Sequence, residues 1–118
     1  MANDCIFCKI VRGEIPAKKL YEDSEILAFH DIRPQAPVHF MLIPKKHIDS
    51  LADVATDDAD MLGRLFALSG RLARECGSPD GYRTIVNTGR IGRQEVMHLH
   101  VHVIGGPEVL GPMLPRPH

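Results

Sequence analysis

Three histidines late in the chain have the types and spacing best suited to chemistry. Residues 97–106 read Met-His-Leu-His-Val-His-Val-Ile-Gly-Gly, so His98, His100 and His102 alternate with apolar residues. This alternation predicts a half-buried strand, in which side chains two residues apart share one face. Imidazole changes its charge near neutral pH and serves as an acid, a base, a nucleophile or a metal ligand. The sequence therefore predicts a catalytic or ligand-binding face.

Two other interpretations of these histidines stay open. They could bind a metal, although His98 and His102 would lie about 13 Å apart along a strand that rises about 3.3 Å per residue. A single tetrahedral zinc ion, with Zn–N bonds near 2.0–2.1 Å, cannot easily take all three rings. They could also be ordinary solvated residues.

Composition limits the classes of protein that need to be considered. The 118 residues are 44% apolar and 25% charged, which is typical of one soluble globular domain over residues 1–118, with a proline-rich tail at 111–118. A formal net charge of −1 argues against broad binding to nucleic acids or membrane surfaces. We expect no secretory signal in the opening residues. Three cysteines favour a reducing compartment, and the cytoplasm is our expectation.

The helices and strands that must position the histidines can be predicted from the periodicity of apolar residues and from the residues that typically begin and end such elements. We expect a short helix over 5–11, capped by Asp4 and ended by Gly13, and strands over 25–31, 38–43 and 82–87 before the histidine strand. Two sets of residues should lie on the same side of the sheet: Leu27, Phe29 and Asp31 on one strand, and His39, Met41 and Ile43 on the next.

One long helix is predicted over 56–76, with Thr56 as its N-cap. Its sheet-facing stripe should comprise Leu62, Leu65, Phe66, Ser69, Leu72, Ala73 and Cys76. A second stripe is made of small residues: Ala59, Gly63, Ala67 and Gly70. Interior helical glycines are unfavourable, so these positions predict close packing against a second copy of the helix across a two-fold axis. Two tolerated surface glycines are the alternative.

Short strands around one long helix predict an α+β protein, and the motifs make the resemblance specific. The segment His98-Leu99-His100-Val101-His102-Val103-Ile104 resembles the histidine-triad (HIT) motif, His-x-His-x-His-x-x with apolar x. Further blocks at 6–10, 31–39, 43–48, 81–83 and 86–87 resemble the Hint branch of that superfamily, so the likeness spans roughly residues 5–114. Separated matching blocks are more specific than a lone motif.

The resemblance implies a HIT-like α+β fold with an antiparallel five-stranded sheet, one long helix and one short helix. It implies a homodimer in which two sheets join into one of ten strands. It further implies a purine nucleoside phosphoramidase that hydrolyses the P–N bond of adenosine 5′-phosphoramidate or of aminoacyl-AMP such as lysyl-AMP. AMP and GMP would be products, and no cofactor would be required for catalysis.

Two other functions remain as alternatives. One is a dinucleoside polyphosphate hydrolase, although that branch usually carries Pro-Arg after the motif, where this chain has Gly105-Gly106. The other, from a different functional class, is a nucleotide-binding or interaction module with incidental catalysis. His102 also distinguishes the chain from the nucleotidyltransferase branch, which has glutamine at that position.

The resemblance also assigns roles to individual residues. His100 would be the nucleophile that forms a nucleotidyl-histidine intermediate, and His98 would complete the triad. His102 and His39 would flank the phosphate and donate hydrogen bonds to its oxygens or protonate the leaving nitrogen. Structural hydrogen bonding, or a metal-bound ring at position 100, is the alternative to each role.

Other positions match the family's nucleotide-binding residues. Asp31 would hold the ribose hydroxyls, or instead cap the turn before Pro34. Asn87 would make a polar contact near the phosphate. Four apolar residues would form the purine slot, or simply pack in the core: Phe7, Ile10, Phe29 and Ile32.

Two residues depart from the animal Hint pattern. Glu95 stands where that pattern has a serine that touches the leaving group or the phosphate, and glutamate resembles bacterial members. Arg93 stands where a glycine is usual. Its side chain could disturb the loop or add a phosphate contact.

A second site is suggested by the spacing Cys5-x-x-Cys8. Some histidine-triad proteins bind structural Zn²⁺ through such a pair plus two histidines, and the matching positions here are His47 and His98. Two reduced cysteines without a metal are the alternative. Cys76 is interpreted as a core residue.

Overall fold

The computed structural model describes residues 5–114, which form two helices and five strands. In chain order these are α1 (Ile6–Val11), β1 (Lys19–Glu22), β2 (Ile26–His30), β3 (Val38–Pro44), α2 (Ala59–Cys76), β4 (Arg83–Ile85) and β5 (Val101–Gly105). Two 3₁₀ turns, Leu51–Asp53 and Thr56–Asp58, connect β3 to α2. Within the described part of the chain, no helix has the length and apolar character needed to cross a membrane.

The strands form one antiparallel sheet in the order β1-β2-β3-β5-β4. The central strand β3 is buried along its whole length. Its register against β5 pairs Met41 with His102 and His39 with Ile104, so two of the predicted site histidines lie on neighbouring strands. The predicted α+β fold with a five-stranded antiparallel sheet is confirmed.

The sheet has two apolar faces, and the alternation of residues 98–103 separates them. Leu99, Val101 and Val103 join the core under α2. On the opposite face, α1 packs with residues of β2 and β3, and the histidines lie on this second face, where Phe7 contacts the rings of both His98 and His100. The face that carries the histidines is therefore backed by the buried strand β3 at the centre of the sheet.

The long helix differs from its prediction at its start and on its buried face. Residues 56–58 form a separate 3₁₀ turn, so α2 begins at Ala59 with Asp58, rather than Thr56, as its N-cap. The Asp58 carboxylate accepts the Ala55 N–H and the Lys46 ammonium. The buried residues of α2 are Met61, Leu65, Ser69, Leu72 and Ala73. Phe66 was predicted to be buried and is 40% exposed, so that assignment was wrong.

The stripe of small residues divides into two parts. A Cβ at Gly63 would meet open space, whereas one at Gly70 would lie 3.4 Å from the Tyr82 hydroxyl of the same chain. That hydroxyl also bonds to Ser69 Oγ at 2.8 Å. A contact at 3.4 Å is an ordinary van der Waals distance, so an alanine would fit at Gly70, and packing within the described chain requires a glycine at neither position.

Several predicted bounds need correction. The N-cap of α1 is Cys5, whose sulfur accepts the Cys8 N–H, and Asp4 lies outside the described residues. Arg12 is the C-cap, directly before Gly13. Strand β1 was not predicted, since its four residues show no apolar alternation and its pairing with β2 contains an irregularity.

The remaining strands differ from their predictions mainly in length: β3 is one residue longer, and the others are shorter. The second and fourth strands span 26–30 and 83–85 rather than 25–31 and 82–87. His98 and His100 precede the regular part of β5. At the end of that strand, Gly105 has no room for a side chain, because a Cβ there would overlap the buried Ser78 hydroxyl. Ser78 in turn accepts the Gly106 N–H, which fixes the chain where it leaves the site.

Candidate active site

A single hydrogen bond defines the state of the His100 ring. Its Nδ1 lies 2.7 Å from the backbone carbonyl oxygen of His98. A carbonyl only accepts, so Nδ1 carries the hydrogen and donates it. In the neutral ring the lone pair is then on Nε2, which is the arrangement of a nitrogen nucleophile.

A chain of hydrogen bonds ends at His102. The backbone N–H of Gln35 donates to His39 Nδ1 at 2.9 Å, so the hydrogen of the neutral His39 ring is on Nε2. That Nε2 lies 2.9 Å from His102 Nδ1 and donates to it. His102 therefore carries its own hydrogen on Nε2. The ring centroids of His100 and His102 are 5.1 Å apart, so the ring that carries this donor lies beside His100.

The hydrogen bonds of His39 bear directly on the role that the family resemblance implies for it. Both of its ring nitrogens are engaged within the protein, one by Gln35 and the other by His102. His39 is also buried, with 5% of its surface exposed. In this geometry its Nε2–H is directed at His102 Nδ1, and neither ring nitrogen is left to face a phosphate.

Asp31 has two contacts that serve different purposes. Its Oδ1 accepts the Arg33 N–H at 2.8 Å, which is the turn-capping role weighed as the alternative for this residue. Its Oδ2 lies 3.3 Å from His39 Nε2 and offers that N–H a second acceptor. Asp31 thus supports the histidine chain as well as the turn.

Burial keeps His39 and His102 neutral. Desolvation lowers the pKa of His102 to about 4, with smaller effects in the same direction from His100 and His39. Asp31 and Glu95 act in the opposite direction and raise that pKa. Desolvation also lowers the pKa of His39. In the unliganded protein the neutral tautomers derived above for these two rings are therefore those present at pH 7.

A second cluster lies on the other side of His100. The side chains of Cys5, Cys8, His47 and His98 place four possible ligand atoms within 4.8 Å of one another. His98 Nδ1 is 3.3 Å from Cys5 Sγ and 3.5 Å from Cys8 Sγ, and His47 Nδ1 is 3.2 Å from Cys8 Sγ. Two ligands of one tetrahedral zinc ion would be separated by about 3.5 Å, given Zn–S and Zn–N bonds near 2.3 and 2.0 Å.

The outer contacts of this cluster orient its lone pairs inward. His98 Nε2 donates to the Pro44 carbonyl at 2.8 Å, and His47 Nε2 donates to Asp49 Oδ1 at 2.6 Å. Both rings therefore direct an Nδ1 lone pair at the sulfurs. Burial lowers the pKa of His98, which keeps that ring neutral as a ligand must be. The donor set fits Zn²⁺, and the outer acceptors are those typical of metal-bound histidines.

Asp31, His39 and His102 form another group with ligand-type atoms close together. Here the tautomers argue against a metal. A metal on His39 Nε2 would move the hydrogen of the neutral ring to Nδ1. Because the Gln35 N–H donates to Nδ1, two N–H groups would then face each other. This group is a hydrogen-bond chain, while the Cys/His cluster has the polarity of a metal site.

A cleft of about 720 Å³ opens beside the histidines. Of the residues predicted to bind nucleotide, Asp31 and Ile32 line it, together with His39. Ile32 is 91% exposed and offers an apolar wall at the cleft. The remaining lining residues are Pro16, Ala17, Lys18, His30, Pro34 and Pro37.

The other predicted binding residues lie elsewhere. Phe7, Ile10 and Phe29 are buried together between α1 and the sheet, which is the core packing weighed as their alternative. Asn87 is half-buried in the segment after β4. Arg93 and Glu95 lie in the loop that precedes the histidines, and Arg93 has a φ of 61°, a conformation that favours glycine.

Sequence reasoning missed several residues that shape the site. These are Lys18 and His30 in the cleft, the Gln35 backbone N–H, Asp49 and Gln94. Asp49 and Gln94 had a detectable signal, since each lies within two residues of a predicted site residue. The Gln35 N–H had none, because a backbone donor carries no mark in the residue types.

Comparisons with known proteins identify the family. The HIT domain model matches residues 12–109 of this chain. The chain is 46% identical over 115 residues to the purine nucleoside phosphoramidase of Escherichia coli, covering 97% of this chain and 96% of that protein. It is 49% identical over 105 residues to Protein HitA of Neisseria gonorrhoeae, covering 89% and 98%.

Solved structures agree with this assignment. A HIT family hydrolase from Legionella pneumophila Philadelphia 1 superposes with a TM-score of 0.86 at 48% identity, covering 92% of this chain and 98% of that chain. A histidine triad protein from Clostridium difficile gives a TM-score of 0.87 at 43% identity, covering 95% and 98%. The chain with this antiparallel sheet and these alternating histidines belongs to the HIT family.

Proposed function

We propose that this protein is a hydrolase that cleaves the P–N bond of purine nucleoside 5′-phosphoramidates, with AMP or GMP and an amine as products. The observation that carries the proposal is the Nδ1–H bond from His100 to the His98 carbonyl, which leaves Nε2 as a nucleophile. The similarity to the E. coli enzyme of that name supports the choice of substrate.

In the first step, His100 Nε2 attacks the α-phosphorus and forms a P–N bond to the ring, while the bond from phosphorus to the amine breaks. An amine leaves readily only when its nitrogen is protonated. His102 is placed to supply that proton from Nε2, because its Nδ1 is held by His39. The ring hydrogens supply charge stabilisation without any cofactor in this scheme.

His102 is neutral in the unliganded protein, so it needs a second proton before it can act as an acid. An anionic phosphate bound beside the ring raises its pKa, because opposite charge favours the protonated form. His102 takes up that proton from solvent on Nδ1, which breaks its hydrogen bond with His39, and the His39 ring shifts so that its Nε2–H donates to Asp31 Oδ2, which lies 3.3 Å away. After the amine leaves, neutral His102 acts as a base toward the water that releases the nucleotide.

A dinucleoside polyphosphate hydrolase remains the alternative enzyme, and faster cleavage of diadenosine tetraphosphate than of a phosphoramidate would favour it. An interaction module would bind nucleotide with little turnover. The Gly105-Gly106 pair after the motif supports the phosphoramidase.

The nucleophile can be tested with His100→Ala. We expect turnover of adenosine 5′-phosphoramidate to fall by at least about 1,000-fold, as for the loss of a catalytic nucleophile elsewhere. Affinity for AMP should stay within a few-fold, because the cleft and the outer histidines remain. In the parent protein, rapid quenching should trap one nucleotidyl group on His100. A label mapped to another side chain would refute this mechanism.

The protonation state of His102 can be followed by nuclear magnetic resonance of its ring nitrogens. We expect titration near pH 4 in the unliganded protein, a higher pKa with AMP bound, and a lower pKa in Glu95→Gln, since Glu95 raises it. Between pH 6.5 and about 4 the unfolded chain binds more protons at this residue than the folded protein, so the free energy of unfolding decreases as pH falls. Titration near 6.5 without ligand would contradict the assignment.

We further propose that Cys5, Cys8, His47 and His98 hold one structural Zn²⁺. The inward lone pairs and the S···N separations of 3.2–3.5 Å support this assignment. A bound ion would join α1 to the segment before β5 and would supply no chemistry to the reaction.

Metal analysis of protein prepared without chelator checks the zinc site. We expect one zinc per chain, its loss in Cys8→Ser, and a decrease of about 2 kcal/mol or more in the free energy of unfolding when a chelator removes it. Cys76→Ser is the matched control, because Cys76 lies on α2, and it should retain the metal. Less than one zinc per two chains would exclude the site.

We also propose a homodimer formed through α2 and the sheet edge at β4. Support comes from the open space at Gly63 and from Phe66 and Tyr82, each 40% exposed. A second copy of the helix would bury these residues and would account for a glycine at position 63, which packing within the described chain does not require. We retain the cytoplasm as the expected compartment.

Sedimentation of Gly63→Leu tests the dimer. We expect the dissociation constant to rise more than about tenfold, equivalent to about 1.4 kcal/mol, because the larger side chain holds the helices apart. Glu75→Leu adds the same side chain at an exposed position on α2 and should leave association unchanged. An unaltered association state in Gly63→Leu would contradict the interface.

A further inference from the structure

The side-chain amide of Gln94 makes three hydrogen bonds to backbone groups. Its Oε1 accepts the Gly89 N–H at 2.8 Å, and its Nε2 donates to the Asp49 carbonyl at 2.7 Å and to the Val96 carbonyl at 2.9 Å. Among side chains, only the amide of glutamine or asparagine combines a carbonyl oxygen that accepts with an NH₂ group that donates twice. The residue thus joins both ends of one loop to a separate segment.

The loop from Gly89 to Val96 is otherwise closed on itself. The N–H groups of Gly92, Arg93 and Gln94 donate to carbonyls of residues 88–90, at 3.0–3.2 Å. Gly92 lies so close to the Thr88 backbone that a Cβ would not fit. Backbone of this kind holds one conformation only while its flanks are fixed, and Gln94 fixes both.

The two neighbours of Gln94 are the residues that depart from the animal Hint pattern. Arg93 is the only non-glycine residue with positive φ in the described chain, and such strain persists only where surrounding contacts enforce it. Glu95 lies near enough to His102 to affect its titration. Their placement beside the histidines therefore depends on the loop conformation.

We propose that Gln94 is a positioning residue of the active site, whose amide holds the loop 89–96 so that Arg93 and Glu95 face the group being transferred to or from His100. This rests on the proposed function, since it assigns the loop to the reacting phosphate and its leaving amine. Asp49 anchors the other end, because its carboxylate also accepts from His47 in the Cys/His cluster. Gln94 thus links the loop to the cluster through one residue.

Gln94→Glu tests the proposal, because it keeps the acceptor and removes both donors. Gln94→Met is a second variant that removes all three bonds without adding charge. Asp23→Ala is the matched control: Asp23 also fixes a turn by accepting two backbone N–H groups, but in the turn between β1 and β2. The three variants are compared by hydrogen exchange of residues 88–96 and by turnover of adenosine 5′-phosphoramidate.

We expect both Gln94 variants to exchange these amides at least about tenfold faster. We expect their kcat to fall by about 30- to 100-fold while KM changes less than about threefold, as for misplaced catalytic groups. Asp23→Ala should change neither quantity. Unchanged exchange, or kcat equal to that of the control, would overturn the proposal. An inactive parent protein would refute the proposed function instead, and the exchange data would still decide whether Gln94 holds the loop.

Discussion

The hydrogen bond from His100 Nδ1 to the His98 carbonyl determines which ring nitrogen is available for chemistry. Its acceptor is a backbone atom, so it depends on the conformation of the chain just before β5. That conformation is held by Leu99, whose N–H donates to the Ile48 carbonyl and whose side chain is buried under α2. The apolar core on one face of the sheet therefore sets the tautomer of a ring on the other.

The position of the hydrogen on each imidazole distinguishes two clusters whose residue types are both compatible with metal binding. In one, a carbonyl and a carboxylate accept from Nε2 of His98 and His47, so lone pairs point at the cysteines. In the other, a backbone N–H donates to His39, so its hydrogen points at His102. Residue types alone suggest a metal for both. The direction of each hydrogen bond favours a metal in the first and a proton chain in the second.

Much of this arrangement could be predicted from the sequence, because it rests on periodicity. The alternation of 98–103 placed the histidines opposite Leu99, Val101 and Val103, as in the structure. The spacing of the cysteines, together with the family resemblance, singled out the four residues that do lie together. The HIT motif led to the correct family.

What could not be predicted depends on tertiary contacts. The donor that orients His39 is one case, because the N–H of Gln35 is a backbone group that residue types do not reveal. Met61 rather than Phe66 completes the buried face of α2, and the apolar periodicity alone does not distinguish them because both border the stripe of Leu65, Ser69 and Leu72. Strand β1 is too short to show a period, and only its pairing with β2 reveals it.

The two-sided character of the segment 98–105 has a consequence for how this family can change over evolution. Inserting or deleting one residue there would invert the residues on one side of the change, so that their imidazoles would turn toward the helix and their apolar side chains toward the opposite face, since faces alternate at each step. Length variation must therefore be confined to connections outside it, such as the tail after Gly106, while within it only like-for-like replacement at alternate positions preserves both core and chemistry.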